Sequence, residues 1–327
     1  MCTAVTTNKR NRLFGRNLDV EKSYGEEVII TPRSFTISFR KTDNIPRHHA
    51  IIGAGIVGRG YPLYFDGANE HGLAMAGLNF VGNAKYSPPK ENKINITPFE
   101  FIPFILGKCS TIKEALIELR HINITDIPFS EELPLSELHW LIADKTCSIV
   151  VEQSELGLKI YENPTGVLTN NPHFPYHLEN LNNYLNLTSD IPENRFSDDL
   201  KLKRYSNGMG ALGLPGDLSS SSRFVRAVFN KFNSREALST EDGIGGMFHI
   251  LSSVEQIEGC ARVENEYERT EYSSVINLDT LTYYYRTYTN SQLSAVRLFS
   301  EDLDSSTLIR YPFLRKQNTF YQNREPS

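Results

Sequence analysis

The β-prone runs of this chain follow one another across hairpin-length turns, and that spacing limits the folds open to it. "CTAVTT" leads through the turn-like "NKRN" into "RLFGRNLD", and "EEVIITPRSFTISFR" continues in the same style. "HHAIIGAGIV" and "GLAMAGLNF" read as short buried strands separated by Gly-rich turns. Helical patterning then takes over. "PFEFIPFILGKC" runs from Pro98 to Cys109 with proline in its first turn, and "STIKEALIELRHI" carries a capping-box pattern at Thr111 and Glu114. Ile112, Ala115, Leu116, Leu119 and Ile122 share one face of that second helix, with charge opposite. From Leu138 to Thr169 strand patterning returns in "LHWLIAD", "SIVVEQ", "LKIYEN" and "GVLTN", an expected antiparallel meander. "SSSSRFVRAVFNKF", with Phe224, Val228, Phe229 and Phe232 on one side, and "GIGGMFHILSSVEQI" read as helices. "YSSVINL", "LTYYYRTYT" and "LSAVRLF" close the chain as strands. Strands and helices in blocks, without βαβ alternation, make an α+β protein. The reading is two antiparallel sheets face to face, each covered outside by helices.

Composition narrows the functions. The chain has 327 residues with no internal repeat or low-complexity linker, and 39% of them are hydrophobic, enough for a sizeable core. The net charge is −5 and no basic tract occurs, which argues against nucleic acid as a partner. No run of about 18 apolar residues is present, so no membrane span is expected. The polar start "MCTAVTTNKRNRLFGRN" lacks the apolar centre of a signal peptide, so a cytoplasmic location is expected. Cys2, Cys109, Cys147 and Cys260 lie far apart, which speaks against a metal site or a disulfide framework. The last three read as buried structural thiols.

Cys2 stands directly behind the initiator methionine. If Met1 is removed, one residue carries both a thiol and an α-amine, whose ordinary pKa is roughly 7.7–8.0. The amine can take the thiol proton and later protonate a departing amine. "FGRNLD" places Arg16 and Asp19 on the strand expected to pair with the first one. A guanidinium near a thiol favours thiolate, and a carboxylate can orient an ammonium. The odd spacing of Arg16 and Asp19 puts them on opposite faces of a regular strand, so a bulge or strand end is expected to reconcile them. Asn79 in "GLNF" and Asn170 in "LTNNP" sit at strand ends, where a carboxamide can donate to an oxyanion or simply shape a turn. Arg223, after a Ser-rich helix start, is either a second cation for the site or a helix-start charge.

Taken together, "MCTAV", "FGRNLD", "YPLYFDGANEHGLAMAGLNF", "PFEFIPFILG", "LPLSELHWLIAD", "SIVVEQ", "GVLTNNP", "LNNY", "GLPGDLSSSSRF", "FHILSSVEQ" and "YYYRTY" resemble the choloylglycine hydrolases in order and along nearly the whole chain. These N-terminal nucleophile hydrolases include bile salt hydrolases and penicillin V acylases. The resemblance implies a four-layer αββα sandwich and one domain over residues 2–327, with Met1 removed. It implies Cys2 as nucleophile with its own amine as base, Arg16 and Asp19 beside it, Asn79 and Asn170 as oxyanion and substrate-polar groups with Asn170, aided by Asn79, expected on the oxyanion, and Arg223 as the distal arginine. No cofactor or metal is implied, and the family tends to form homotetramers.

Asn79 resembles the bile salt branch, where penicillin acylases tend to carry tyrosine. The implied substrates are glycine- or taurine-conjugated bile salts. Arg16, Asn79, Leu18, Phe65, Phe129, Leu133 and Leu138 match the family's substrate-contacting positions. Phe129, an apolar residue in the polar Pro-rich stretch "IPFSEELPLSELHW", needs a partner whatever its role. The alternatives are penicillin V acylase, a cysteine hydrolase with a histidine base such as His48, His49 or His139, and a non-catalytic bile-acid-binding protein.

Overall fold

The structure is a computed structural model that describes residues 1–8 and 11–323. Lys9 and Arg10, half of the expected "NKRN" turn, lie outside the described residues. The strands around that turn form as expected, β1 (Cys2–Asn8) and β2 (Arg12–Val20). Next come β3 (Glu27–Thr31), β4 (Ile51–Gly58), β5 (Tyr61–Asn69), β6 (Ala74–Asn79) and the short β7 (Ile94–Ile96). Helices α1 (Phe101–Lys108) and α2 (Ile112–Leu119) precede β8 (Ile122–Ile124), β9 (Leu138–Ala143), β10 (Ser148–Ser154), β11 (Gly157–Glu162) and β12 (Val167–Leu168). Then follow α3 (Phe174–Asn180), α4 (Ser220–Asn233) and α5 (Thr240–Ser252). The chain ends with β13 (Ala261–Val263), β14 (Glu266–Asn277), β15 (Thr282–Thr287), β16 (Asn290–Arg297) and β17 (Ile309–Pro312).

Two antiparallel sheets result. One runs β12-β1-β2-β14-β15-β16, with β13 beside β14; the other runs β11-β10-β9-β6-β5-β4-β3-β17. Period-two alternation stacks them. In the larger sheet Val28, Ile30, Ile52, Ala74, Ala76 and Leu141 face the other sheet. Their neighbours Ile29, Ile51, Met75 and Ile142 face Phe101, Ile105, Ile112 and Leu119 of α1 and α2. On the far side α5 lies on β2 and β14, and α4 on β1 and β12. The expected αββα sandwich is therefore the fold.

Several local expectations change. The 138–169 meander holds through β11, but β12 leaves the sheet and pairs with β1. "EEVIITPRSFTISFR" is strand only over β3, and the "Gly-rich turn" before β6 contains a whole strand, β5. Thr111 caps α2 by accepting from the Glu114 N–H, whereas Glu114 turns its carboxylate to the Ser110 N–H instead of closing the box. On α4, Phe232 is exposed, and the buried face is Arg223, Phe224, Val225 and Ala227. Cys109 is buried as expected, but Cys147 and Cys260 are exposed, because each sits in a turn outside the layers.

Candidate active site

β1 lies inside its sheet, between β12 and β2, so the chain's first residues are held on both sides. Cys2 is 2% exposed and lies opposite Leu18; Ala4 lies opposite Arg16. Side chains of one parity, Cys2, Arg16, Leu18 and Val20, line a cavity of about 330 Å³. Those of the other parity face the α4–α5 layer. Thr3 Oγ1 accepts from Arg223 Nη1 (2.6 Å), and Asn17 Nδ2 donates to the Leu251 carbonyl (2.9 Å).

Arg16 and Asp19 therefore stay on opposite faces, and no bulge in β2 brings them together. The irregularity falls on β14, between Thr270 and Tyr272. The two residues serve different ends of Cys2. Arg16 Nη2 donates to Cys2 Sγ at 3.0 Å on the cavity side. Asp19 lies on the backbone side, accepts from Thr270 Oγ1 (2.6 Å) and keeps its Oδ2 4.0 Å from Arg223 Nη1. Burial pushes the Asp19 carboxyl up, against the pull of Arg223. Burial alone would lower the Arg16 guanidinium, but Cys2, then Tyr272 and Asp66, raise it above its usual value.

Asn170 and Arg223 clamp Cys2 from behind. Asn170 Oδ1 accepts from the Cys2 N–H (2.9 Å) and from Arg223 Nη2 (2.7 Å), while Nδ2 donates to the Asn79 carbonyl (2.8 Å). These partners fix which way the carboxamide points. Arg223 Nη1 also donates to the Cys2 carbonyl (2.6 Å), and Nε to the Leu218 carbonyl (3.0 Å). Arg223 is thus a fully buried organiser of the first strand and not a surface charge at a helix start. Asn79 ends β6 and lines the cavity; Asn170 does not line it and reaches the site through Cys2 and Asn79. Met1 is half-buried. Its amine donates to the Asp19 carbonyl (2.8 Å) and to the Glu268 carboxylate.

The cavity wall gathers Leu18, Phe65, Phe129, Leu133 and Leu138 with Tyr24, Ile56, Leu63 and Phe99. Phe129 has the partners that its position demands. It meets Phe99 edge-on at 5.0 Å and Tyr61 at 6.3 Å, and Arg40 stacks over its ring. Among the described residues no histidine lines this cavity. His139 instead binds Glu152 and the Thr169 carbonyl, and His48 and His49 lie in a separate cleft with Arg33 and Glu70. Sequence reasoning did not find Asp66, Thr270, Tyr272, Tyr283 or His177, all of which brace the named residues. An acid within the apolar run "YPLYFDGA" is the one signal that could have flagged Asp66.

A model of the linear amide C–N hydrolases, choloylglycine hydrolase family, matches residues 2–311. The chain belongs to the choloylglycine hydrolase family. As a member it is an amide C–N hydrolase. It is similar to the bile salt hydrolase/transferase of Lactiplantibacillus plantarum, 52% identical across 98% of this chain and 99% of that protein. The bile salt hydrolase/transferase of Clostridium perfringens is 38% identical across 96% and 97%. Among solved structures, a conjugated bile acid hydrolase of Clostridium perfringens superposes with a TM-score of 0.91 at 35% identity, covering 98% of this chain and 100% of that one. Penicillin V acylase of Agrobacterium tumefaciens, 20% identical, shares the fold with a TM-score of 0.74 over 95% and 90%.

Proposed function

We propose that this choloylglycine hydrolase cleaves the amide of glycine- or taurine-conjugated bile salts, with Cys2 as nucleophile after loss of Met1. The observation that carries the reading is the contact of Arg16 with Cys2 Sγ at the end of an apolar cavity. The names of the relatives at 52% and 38% identity support the substrate class.

With Met1 in place the Cys2 nitrogen is an amide and cannot act as a base. Once Met1 leaves, that nitrogen becomes an amine beside Asn170 Oδ1. Asp19 Oδ2, buried near Arg223 but without a hydrogen bond, is available to hold the amine's orientation. The amine takes the thiol proton, and the sulfur, stabilised by Arg16, attacks the amide carbonyl. Asn79, which lines the cavity, donates to the oxyanion in place of Asn170, the donor expected from the sequence, because Asn170 does not line the cavity and gives its Nδ2 to the Asn79 carbonyl. The amine then returns its proton to the leaving glycine or taurine as the C–N bond breaks. Water hydrolyses the thioester. The chain's own residues supply every step, without a cofactor. The enzyme acts in the cytoplasm as a homotetramer in this reading. Among the described residues no helix is long and apolar enough to cross a membrane.

The test is N-terminal mass spectrometry of the purified protein combined with ninhydrin detection of glycine from glycocholate, run beside penicillin V. Loss of Met1 with glycine release is expected, and Cys2→Ala abolishes it while the fold remains. Cys2→Ser retains little activity, since serine is far harder to ionise. Full activity in protein that keeps Met1 would overturn the mechanism, and turnover of penicillin V alone would overturn the substrate.

A further inference from the structure

Beneath the Arg16–Cys2 contact lies a second buried carboxylate that the reaction does not use. Asp66 is fully buried and stands 3.8 Å from Arg16 Nη1, too far for a hydrogen bond. Its oxygens are occupied from the opposite sheet: Tyr272 Oη donates to Oδ2 (2.5 Å) and Tyr283 Oη to Oδ1 (2.8 Å). Both tyrosines are fully buried, and none of the three lines the cavity. Arg16 Nη1 meanwhile donates to the Phe65 carbonyl (2.8 Å).

A register shift in the strand produces this arrangement. Ala54 pairs with Asp66 and Gly55 with Tyr64, which leaves Phe65 as the extra residue of a bulge. The bulge flips the strand's parity. Ala68 and Asp66 face the other sheet, whereas Tyr64, which regular alternation would place with them, packs toward α1. One irregularity thus presents both the Phe65 carbonyl and the Asp66 carboxylate to one guanidinium.

We propose that Asp66 is a positioning residue, the resident counter-ion of Arg16, and that Tyr272 and Tyr283 hold it off Nη1 so that the guanidinium is not drawn toward it and Nη2 stays on the sulfur. This deepens the proposed mechanism and rests on Cys2 as its nucleophile. Acylation converts the thiolate into a neutral thioester, and a buried arginine whose only partner was that thiolate would be left uncompensated. An uncompensated buried charge is costly. Asp66 neutralises Arg16 at every stage, so Arg16 neither leaves its place nor over-stabilises the thiolate.

The test reads Cys2 alone, without substrate. In the Met1-free enzyme, the rate of Cys2 alkylation by iodoacetamide is followed against pH. Asp66→Asn removes the charge and keeps the shape. Its acid limb moves toward lower pH by about one unit, the size expected for a nearby buried charge, and its plateau rate falls because a more stabilised thiolate is a weaker nucleophile. With glycocholate, kcat drops about tenfold or more while KM stays within about twofold, since Asp66 touches no cavity surface. Tyr272→Phe keeps the charge but frees Oδ2, the oxygen 3.8 Å from Arg16 Nη1, to compete for the guanidinium, so its limb moves the opposite way. The other charged or ionisable groups around Cys2, namely its own α-amine, Asp19, Tyr24, Arg223 and Glu268, are the same in every variant. Opposite shifts support the proposal. An unmoved limb in Tyr272→Phe, or shifts of the same sign, overturns it, and Tyr272→Phe decides alone if Asp66→Asn does not fold. Shifted limbs in an enzyme that releases no glycine would instead sink the assigned substrate and leave the counter-ion in place.

Discussion

His177 makes the stability of the site depend on pH in a way that can be isolated. Its ring is fully enclosed, stacked on Phe224 at 4.9 Å, and Nε2 donates to the Asn170 carbonyl (2.9 Å). Nδ1 is buried with no partner, so a second proton would have no acceptor. Burial, helped by the nearby His139 and Arg223 and opposed by the Asn170 carbonyl, pushes this imidazole down from 6.5 to about 4. The unfolded chain binds the proton more readily than the folded one. The stabilising difference is therefore complete above pH 6.5 and shrinks as pH falls toward the folded value of about 4. Between neutral pH and pH 4 the linkage amounts to about 3 kcal/mol. The comparison to make is wild type against His177→Gln, whose amide can still donate to Asn170 but does not titrate. Urea unfolding followed by the fluorescence of Trp140, the only tryptophan and fully buried, gives both stabilities. The advantage of wild type over the variant should shrink by about 3 kcal/mol on acidification. Other titrating groups cancel in the difference. If the two proteins lose stability in parallel, to within about 1 kcal/mol, the argument from the enclosed ring is wrong.

Other outcomes follow from the same geometry. Arg223→Met strips donors from the Cys2 carbonyl and Asn170 Oδ1 and leaves Asp19 without its cation, so a loss of about 3–5 kcal/mol is expected in urea unfolding. Asn79→Ala should lower kcat by about 10²–10³ while iodoacetamide still alkylates Cys2 at the wild-type rate, the mark of a lost oxyanion donor. Phe129→Ala opens the cavity wall, and KM for glycocholate should rise about tenfold or more with a smaller change in kcat.

The first strand pair was legible because its chemistry is local. Cys2, Arg16 and Asp19 lie on adjacent strands close together in sequence, although the bulge expected to bring Arg16 and Asp19 to one face is absent and strand parity sends them to different ends of Cys2. The cavity wall was legible through the resemblance, which carried Leu18, Phe65, Phe129, Leu133 and Leu138 to positions that share one surface. The failures have physical causes as well. The strand carrying Asp66 was hidden because the bulge at Phe65 breaks the alternation by which a strand is recognised. β12 has only two residues and joins the sheet it does because of long-range pairing with Ala4 and Val5, which no local pattern encodes. Phe232 looked buried by helical spacing, yet α4 turns Arg223 inward instead, because the buried polar groups around Cys2 need a donor more than the core needs another ring.

The seating of β1 also bears on how the protein must be produced. Chain ends are usually the safest place for a purification tag or a fusion partner. Here a segment placed ahead of Cys2 would have to leave from within a sheet, past Asp19 and Glu268, where Met1 already occupies the space. In the proposed mechanism such a tag would also deny the sulfur its neighbouring amine. Tags belong after β17, at the edge of the opposite sheet, and an amino-terminally tagged preparation that looks inactive says nothing about the enzyme.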